Sequence, residues 1–332
     1  MQTVVKRILL TTMVTLLMLA GAMAAGLFFG SAGAGWTTLA ETVRGFRDPE
    51  TLYYQIIWQL RFPRIMMAAM VGGTLSLGGL VFQALLRNPL AEPYILGISG
   101  GAAIGAIIGI LLSLSLLPGV SLLAFSGGMA TLVLVLVIAS GPTLLKKETL
   151  LLSGVMVNAF CSAVIMFLIS LTHDARVHNI LFWLMGDLSA GGKEEALLLA
   201  VMVIPCFIVI FWMSNAMNLL MMGKEAAYSM GVNVKALTVA LLMITSFMVS
   251  ATVSHCGLVA FVGLVIPHLF RLLLGADHRV LVPACILGGG AYLVLCDLLA
   301  RTLPRSGEMP VGVITAMIGA PVFIFLLKRS SR

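Results

Sequence analysis

From Ile65 to Leu86 the chain runs for 22 residues without a charge. At a rise of about 1.5 Å per residue, ~20 such residues carry an α-helix across the hydrocarbon core of a bilayer. Within lipid every backbone N–H and C=O must be satisfied inside the protein, so a run like this folds as helix. Comparable apolar runs recur along the sequence. They place expected spans at approximately 8–30, 65–86, 94–117, 119–142, 149–172, 196–213, 236–254, 256–274, 280–300 and 309–327. The expected fold class is therefore all-α: a polytopic membrane protein with about ten transmembrane helices, organised as one transmembrane domain over 1–332.

Composition points the same way. Of 332 residues, 60% are hydrophobic and 10% charged, where a soluble chain carries about 25% charged residues. One aqueous core cannot bury that much apolar surface. The net charge of +7 thus bears on membrane orientation rather than on nucleic acid, and membrane lipid is the expected surrounding. The N-terminus, with Lys6–Arg7 ahead of an apolar run and "GAMAAG", resembles a secretory leader. Its uncharged run continues from Ile8 to Gly30, beyond the ~7–15 residues of a leader's apolar region, and reads as a retained first helix.

With an even number of spans both termini share a side. Placing them in the cytoplasm puts twelve Lys and Arg inside and eight outside, the bias that sets topology. Both termini are expected to be cytoplasmic. Two polar excursions interrupt the spans, one outside at about 172–195 and one inside at about 214–236.

Gly97, Gly101, Gly105 and Gly109 recur every four residues and would share one helical face. Small residues let transmembrane helices approach closely, either within the bundle or at a dimer contact. Intramembrane charge, the usual mark of an ion-coupled pump, is sparse. Asp297 and Arg301, four apart, could pair on one face; His268 and Arg271 lie toward the inner end of the eighth span. Energy for uphill movement would then enter from outside the bilayer. The inner excursion, "NLLMMGKEAAYSMGV", reads as two short helices broken at Gly223 and ended at Gly231. Its apolar residues imply either a protein partner or a helix lying on the membrane surface. At the outer face, Arg61, Arg64 and Arg301 read as interfacial anchors or as a basic rim for an acidic soluble protein.

Several chemistries lack their motifs. There is no phosphate-binding G-x-x-x-x-G-K-[ST] and no dinucleotide fingerprint. The five histidines show no metal spacing, so no metal site is expected. The five cysteines sit singly in apolar runs and read as buried small hydrophobes. No catalytic residue is expected on this chain.

The ordered blocks "LRFPR" (60–64), "QALLRNPLAEPYILGISGGAAIG" (83–105), "LLLSGVMVN" (150–158), "LLMMGKEAAYSMGVNV" (219–234), "GLVAFVGLVIPHLFRLLLGADHRVLVPA" (257–284), "CDLLAR" (296–301) and "EMPVGVITAMIGAPVFIFLL" (308–327) resemble one family. It comprises the permease subunits of binding-protein-dependent ABC importers of type II for iron–siderophore complexes, haem and cobalamin. The resemblance implies a homodimer of the permease in the bacterial inner membrane. Its partners would be two cytoplasmic ATPase subunits, which hold ATP and Mg, and a periplasmic substrate-binding protein. It implies no cofactor on this chain. It further implies that Arg61, Arg64 and Arg301 dock the binding protein. Met222, Gly223, Lys224, Glu225, Ala226 and Gly231 would couple to the ATPase, and Glu148 and Thr149 are candidate cytoplasmic gate residues. "VSHCGLVAF" departs from the family pattern at His255 and Cys256, which could contact substrate or form a buried turn pair. An ion-coupled secondary transporter is the rival reading, and a membrane-embedded enzyme a third.

Overall fold

A computed structural model describes residues 2–30, 52–140, 147–172, 174–189, 191–304 and 307–330. Arg44, Arg47, Lys146, Arg305 and Arg332 of the orientation count, and His173, lie outside the described residues. Among those described, every regular element is helical. In order these are α1 (Gln2–Phe28), a helical lead (Leu52–Gln55, Ile56–Arg61) running into α2 (Phe62–Leu86), α3 (Ile98–Leu111), α4 (Ser121–Ala139), α5 (Lys147–Ser170) and α6 (Asp174–Leu184). There follow α7 (Lys193–Met222), α8 (Lys224–Ser229), α9 (Val234–Cys256), α10 (Val262–Leu274), α11 (His278–Thr302) and α12 (Val311–Ser330).

Among the described residues, seven helices are long and apolar enough to cross a membrane. Three shorter apolar helices, Ile98–Leu111, Val262–Leu274 and Val311–Leu326, fall where the remaining expected runs lie. The shortening has local causes. At "RNPLAEPYILG", Arg87 takes a left-handed φ of 45° and closes α2. Pro89 and Pro93 then supply no backbone donor, and helix resumes only after Gly97 at φ 76°. The expected span 94–117 therefore has a broken start. A second broken stretch joins α9 to α10, where Gly257 and Phe261 have φ of 70° and 67°. Tyr94 ties the two stretches together: its Oη donates to the Val259 carbonyl at 3.1 Å and accepts from the Val259 N–H at 3.3 Å. Irregular backbone among spans is tolerated when it is satisfied by protein in this way.

Helix α2 is the centre of the bundle, with 89% of its apolar window buried, against 22% for α5. It is apolar all round, as a helix buried on every side must be. Glycines set its distance from its neighbours. A Cβ on Gly72 would lie 2.2 Å from the Gly289 carbonyl oxygen of α11, and one on Gly79 would lie 1.7 Å from that of Gly263 in α10. The glycine series in α3 packs similarly against α4 and its lead-in, with hypothetical Cβ atoms of Gly101, Gly105 and Gly109 at 1.8 Å from Thr131, 2.0 Å from Leu123 and 3.0 Å from Val120. Gly97 differs from the expectation. It precedes the helix as its N-cap rather than sharing its face. By contrast, α1 and α5 leave Leu9, Leu17, Phe160 and Met166 exposed, surface suited to lipid or another apolar partner.

Candidate functional site

Polar structure concentrates at the two ends of the bundle. At one end the head of α2 meets the tail of α11. Asp297, fully buried, takes Arg64 Nε at 2.8 Å on one carboxylate oxygen and has Arg301 Nε at 3.0 Å from the other. The second contact is off-axis, an ion pair rather than an aligned hydrogen bond. The Asp297–Arg301 pairing expected from their spacing is thus present, and Arg64 joins it across 233 residues of sequence. Arg64 Nη1 also engages Glu308, whose side chain is 41% exposed. Arg61 Nη1 donates to the Leu27 carbonyl at 2.7 Å, in the last turn of α1. There a cation offsets the unsatisfied carbonyls of the helix end.

The three arginines line one cleft of about 480 Å³ with Gln59, Ser189, Gly192 and Glu308. Each is buried, 5–7% exposed, although the sequence suggested surface residues. Burial of so much charge is affordable only because the guanidinium groups lie against carboxylates and main-chain carbonyls. Among the described residues, the carboxylates that meet these guanidinium groups are Asp297 and Glu308, both on Arg64. Sequence reasoning did not single out Glu308. Its contact is fixed by the turn through Gly307 at φ 76°, which leaves no periodic signal.

The opposite end carries an elbow. Rather than two short helices, α7 continues unbroken to Met222, and only α8 is short. Gly223 (φ 133°) and Gly231 (φ 81°) bracket α8, in backbone conformations that side chains other than glycine's rarely adopt. Lys224 and Glu225 are exposed and Ala226 half-buried. Met221, Met222, Tyr228 and Met230 are exposed beside them, with Met222 at 71%. Ala227 and Leu220 anchor the elbow inward.

Behind it lies a clamp that the sequence did not reveal. Arg87 Nη2 donates to the Leu220 carbonyl at 2.6 Å. Asn218 Nδ2 donates to Asp277 Oδ1 at 2.7 Å, and Asn218 Oδ1 accepts from the His278 N–H at 2.8 Å. Asp277 caps α11 and pairs with Arg279 at 2.7 Å. The Arg279 hydrogen bonds, helped by Asn218, hold the Asp277 carboxyl down at about 2. Glu148 is exposed and Thr149 half-buried in the first turn of α5, apart from both groups. Among the described residues no cluster of three or more His, Cys, Asp or Glu could hold a metal ion.

Residues 15–329 match the FecCD transport family. The chain belongs to that family. Members similar to it include the vitamin B12 import system permease protein BtuC of Salmonella arizonae, 39% identical over 277 residues, 83% of this chain and 84% of that protein. BtuC of Salmonella typhi is 38% identical over 278 residues, with the same coverage. Among solved structures, an inward-facing metal-chelate type ABC transporter superposes with a TM-score of 0.86 at 31% identity, covering 96% of this chain and 98% of that one. PsaBC from Streptococcus pneumoniae, in complex with Fab, shares the fold at a TM-score of 0.56 and 16% identity. This FecCD family member is a multi-pass membrane transport protein, and its fold is that of the ABC importer permeases.

Proposed function

We propose that this chain is the permease subunit of an ATP-driven, binding-protein-dependent importer for a metal chelate: an iron(III)–siderophore complex, cobalamin or haem. It works as a homodimer in the bacterial inner membrane, with ten spans per chain and both termini in the cytoplasm. Two ATPase subunits, holding ATP and Mg, grip the elbow. A periplasmic binding protein docks at the arginine-lined cleft. BtuC, named for vitamin B12 import, and the metal-chelate transporter support the substrate class.

The observation that carries this reading is the elbow. Exposed methionines on either side of a six-residue helix, which is bracketed by two glycines and clamped from behind, form an apolar surface that calls for a protein partner. Met222, Gly223, Lys224, Glu225, Ala226 and Gly231 would meet the ATPase. At the far end Arg61, Arg64 and Arg301 would receive carboxylates of the binding protein. Glu308, exposed where Asp297 is buried, holds Arg64 in the isolated chain, and docking exchanges it for a partner carboxylate. The two ends share α2 and α11, whose close approach at Gly72 and Gly289 makes them one mechanical unit. Glu148 and Thr149, at the cytoplasmic start of α5, would gate the path between the two copies. The permease supplies a path and a difference in affinity between states, not bond chemistry.

Reconstitution tests the proposal. Vesicles containing this chain and its cognate ATPase should accumulate chelate only when both ATP and binding protein are supplied. Accumulation driven by an ion gradient alone would establish a secondary transporter instead.

A further inference from the structure

The unusual pair His255–Cys256 closes α9, and the structure separates its two members. Cys256 is buried, its thiol donating to the Thr252 carbonyl at 3.2 Å, and is unavailable to a ligand. His255 is half-buried and lines a cleft of about 440 Å³ between the tails of α3 and α9, the Ser113–Ser121 link and α6. This cleft lies at the same end of the bundle as the arginine cluster.

The His255 Nδ1 sits 2.8 Å from the Ala251 carbonyl oxygen. A carbonyl can only accept, so Nδ1 carries a proton, and in the neutral imidazole Nε2 then carries the lone pair. Among the described residues Nε2 makes no hydrogen bond. An imidazole locked through one nitrogen to the main chain, with the other left as a donor, is how metal-binding histidines are oriented. The charged groups of the cleft are already engaged. Arg176 donates to the Leu111 carbonyl at 2.6 Å and to Ser113 at 3.0 Å, and the Asp187 carboxylate accepts from the Ser189 N–H at 2.9 Å. The rest of the wall is mostly apolar, with Leu114, Leu116 and Leu117 on one side and an aromatic group on α6. The His178 ring lies 4.4 Å from that of Phe182, and Trp183 stands beside them.

Among the described residues a bare ion finds no cluster of three ligands here. A chelate with all but one position filled needs only one donor from the protein. We propose that this cleft is a transient contact site for a flat metal chelate with an exchangeable coordination position, a metallo-tetrapyrrole in chemical class. His255 Nε2 bonds the metal, and the His178–Phe182–Trp183 wall packs on the face or edge of the ring. The nitrogen donates its lone pair, a weakly held water leaves the metal, and no proton or electron is transferred. The inference rests on the import reading above and narrows its substrate: a saturated iron(III) trihydroxamate has no position to offer.

The test uses the full chain in lipid nanodiscs titrated with hemin, with empty nanodiscs subtracted. Wild type should give the shifted Soret band of a haem bound through a single imidazole, in its high-spin form. His255→Ala should lose it. His178→Ala should keep the band at weaker affinity, and iron(III) trihydroxamate should leave all spectra unchanged. Absence of the band in wild type, or its survival in His255→Ala, overturns the site. ATP-dependent uptake by the assembled importer is a separate measurement, so loss of the site leaves the import reading standing or falling on its own result.

Discussion

Substituting Gly79 by alanine tests how tightly the central helix is held. The new Cβ would meet the Gly263 carbonyl oxygen at 1.7 Å, with the Gly263 carbonyl carbon at 2.4 Å and its Cα at 2.7 Å. All three are backbone atoms, so no side chain can swing aside. Ordinary contact begins near 3.4 Å, and α2 and α10 would have to part by roughly 1.7 Å. Overpacking a well-filled interior costs ~1–3 kcal/mol, and a clash against main chain belongs at the upper end. Gly21→Ala is the internal control: nothing lies within 4 Å of its would-be Cβ, and alanine is the better helix former. Thermal unfolding of both variants in one detergent, followed by tryptophan emission and by the monodisperse fraction on gel filtration, gives the comparison. Gly79→Ala should melt several degrees below wild type and Gly21→Ala at or above it. Equal melting of the two would refute the account of α2 as a helix spaced by glycine.

Two further outcomes are expected. Asp297→Asn leaves the Arg64 and Arg301 guanidinium groups buried with half their compensation gone, and should cost ~3–5 kcal/mol, as breaking one side of a buried ion network does. A variant as stable as wild type would show that Glu308 alone balances the cluster. Asp277→Asn should lower the melting temperature by an amount that stays constant from about pH 8 to about pH 5. The Asp277 carboxyl is depressed from 3.8 to about 2, so its contribution is complete above 3.8 and fades only as pH falls toward 2. A difference that already narrows near pH 6 would contradict the Asp277–Arg279–Asn218 arrangement.

Much of this architecture could be read from the sequence because the signal was local. Uncharged runs located the apolar helices, and a four-residue spacing placed Gly101, Gly105 and Gly109 on one face. The Asp297–Arg301 pair followed from helical geometry, and Gly223 and Gly231 marked the elbow from their residue type alone. What escaped was non-local or irregular. Arg64 meets Asp297 across 233 residues, and no periodicity announces that. The Arg87–Leu220 and Asn218–Asp277 contacts join α7 to residues at the ends of α2 and α11, far apart in sequence. The expectation of two short helices in the elbow failed because Ser214 to Met222 carries no strong breaker, so α7 propagates through it. Gly97 was assigned to a helical face by spacing, whereas the two prolines before it keep that backbone from becoming helix.

The single phenol of Tyr94 deserves a mechanical corollary. Because one oxygen both gives and takes a hydrogen bond with the same residue, Val259, the kinked approach to α3 and the kinked approach to α10 behave as a pinned joint. Any stroke that pulls α10 must carry the lower part of α3 with it, and through its glycines α4 as well. Deleting that one hydroxyl would uncouple two halves of the machine while leaving every helix in place.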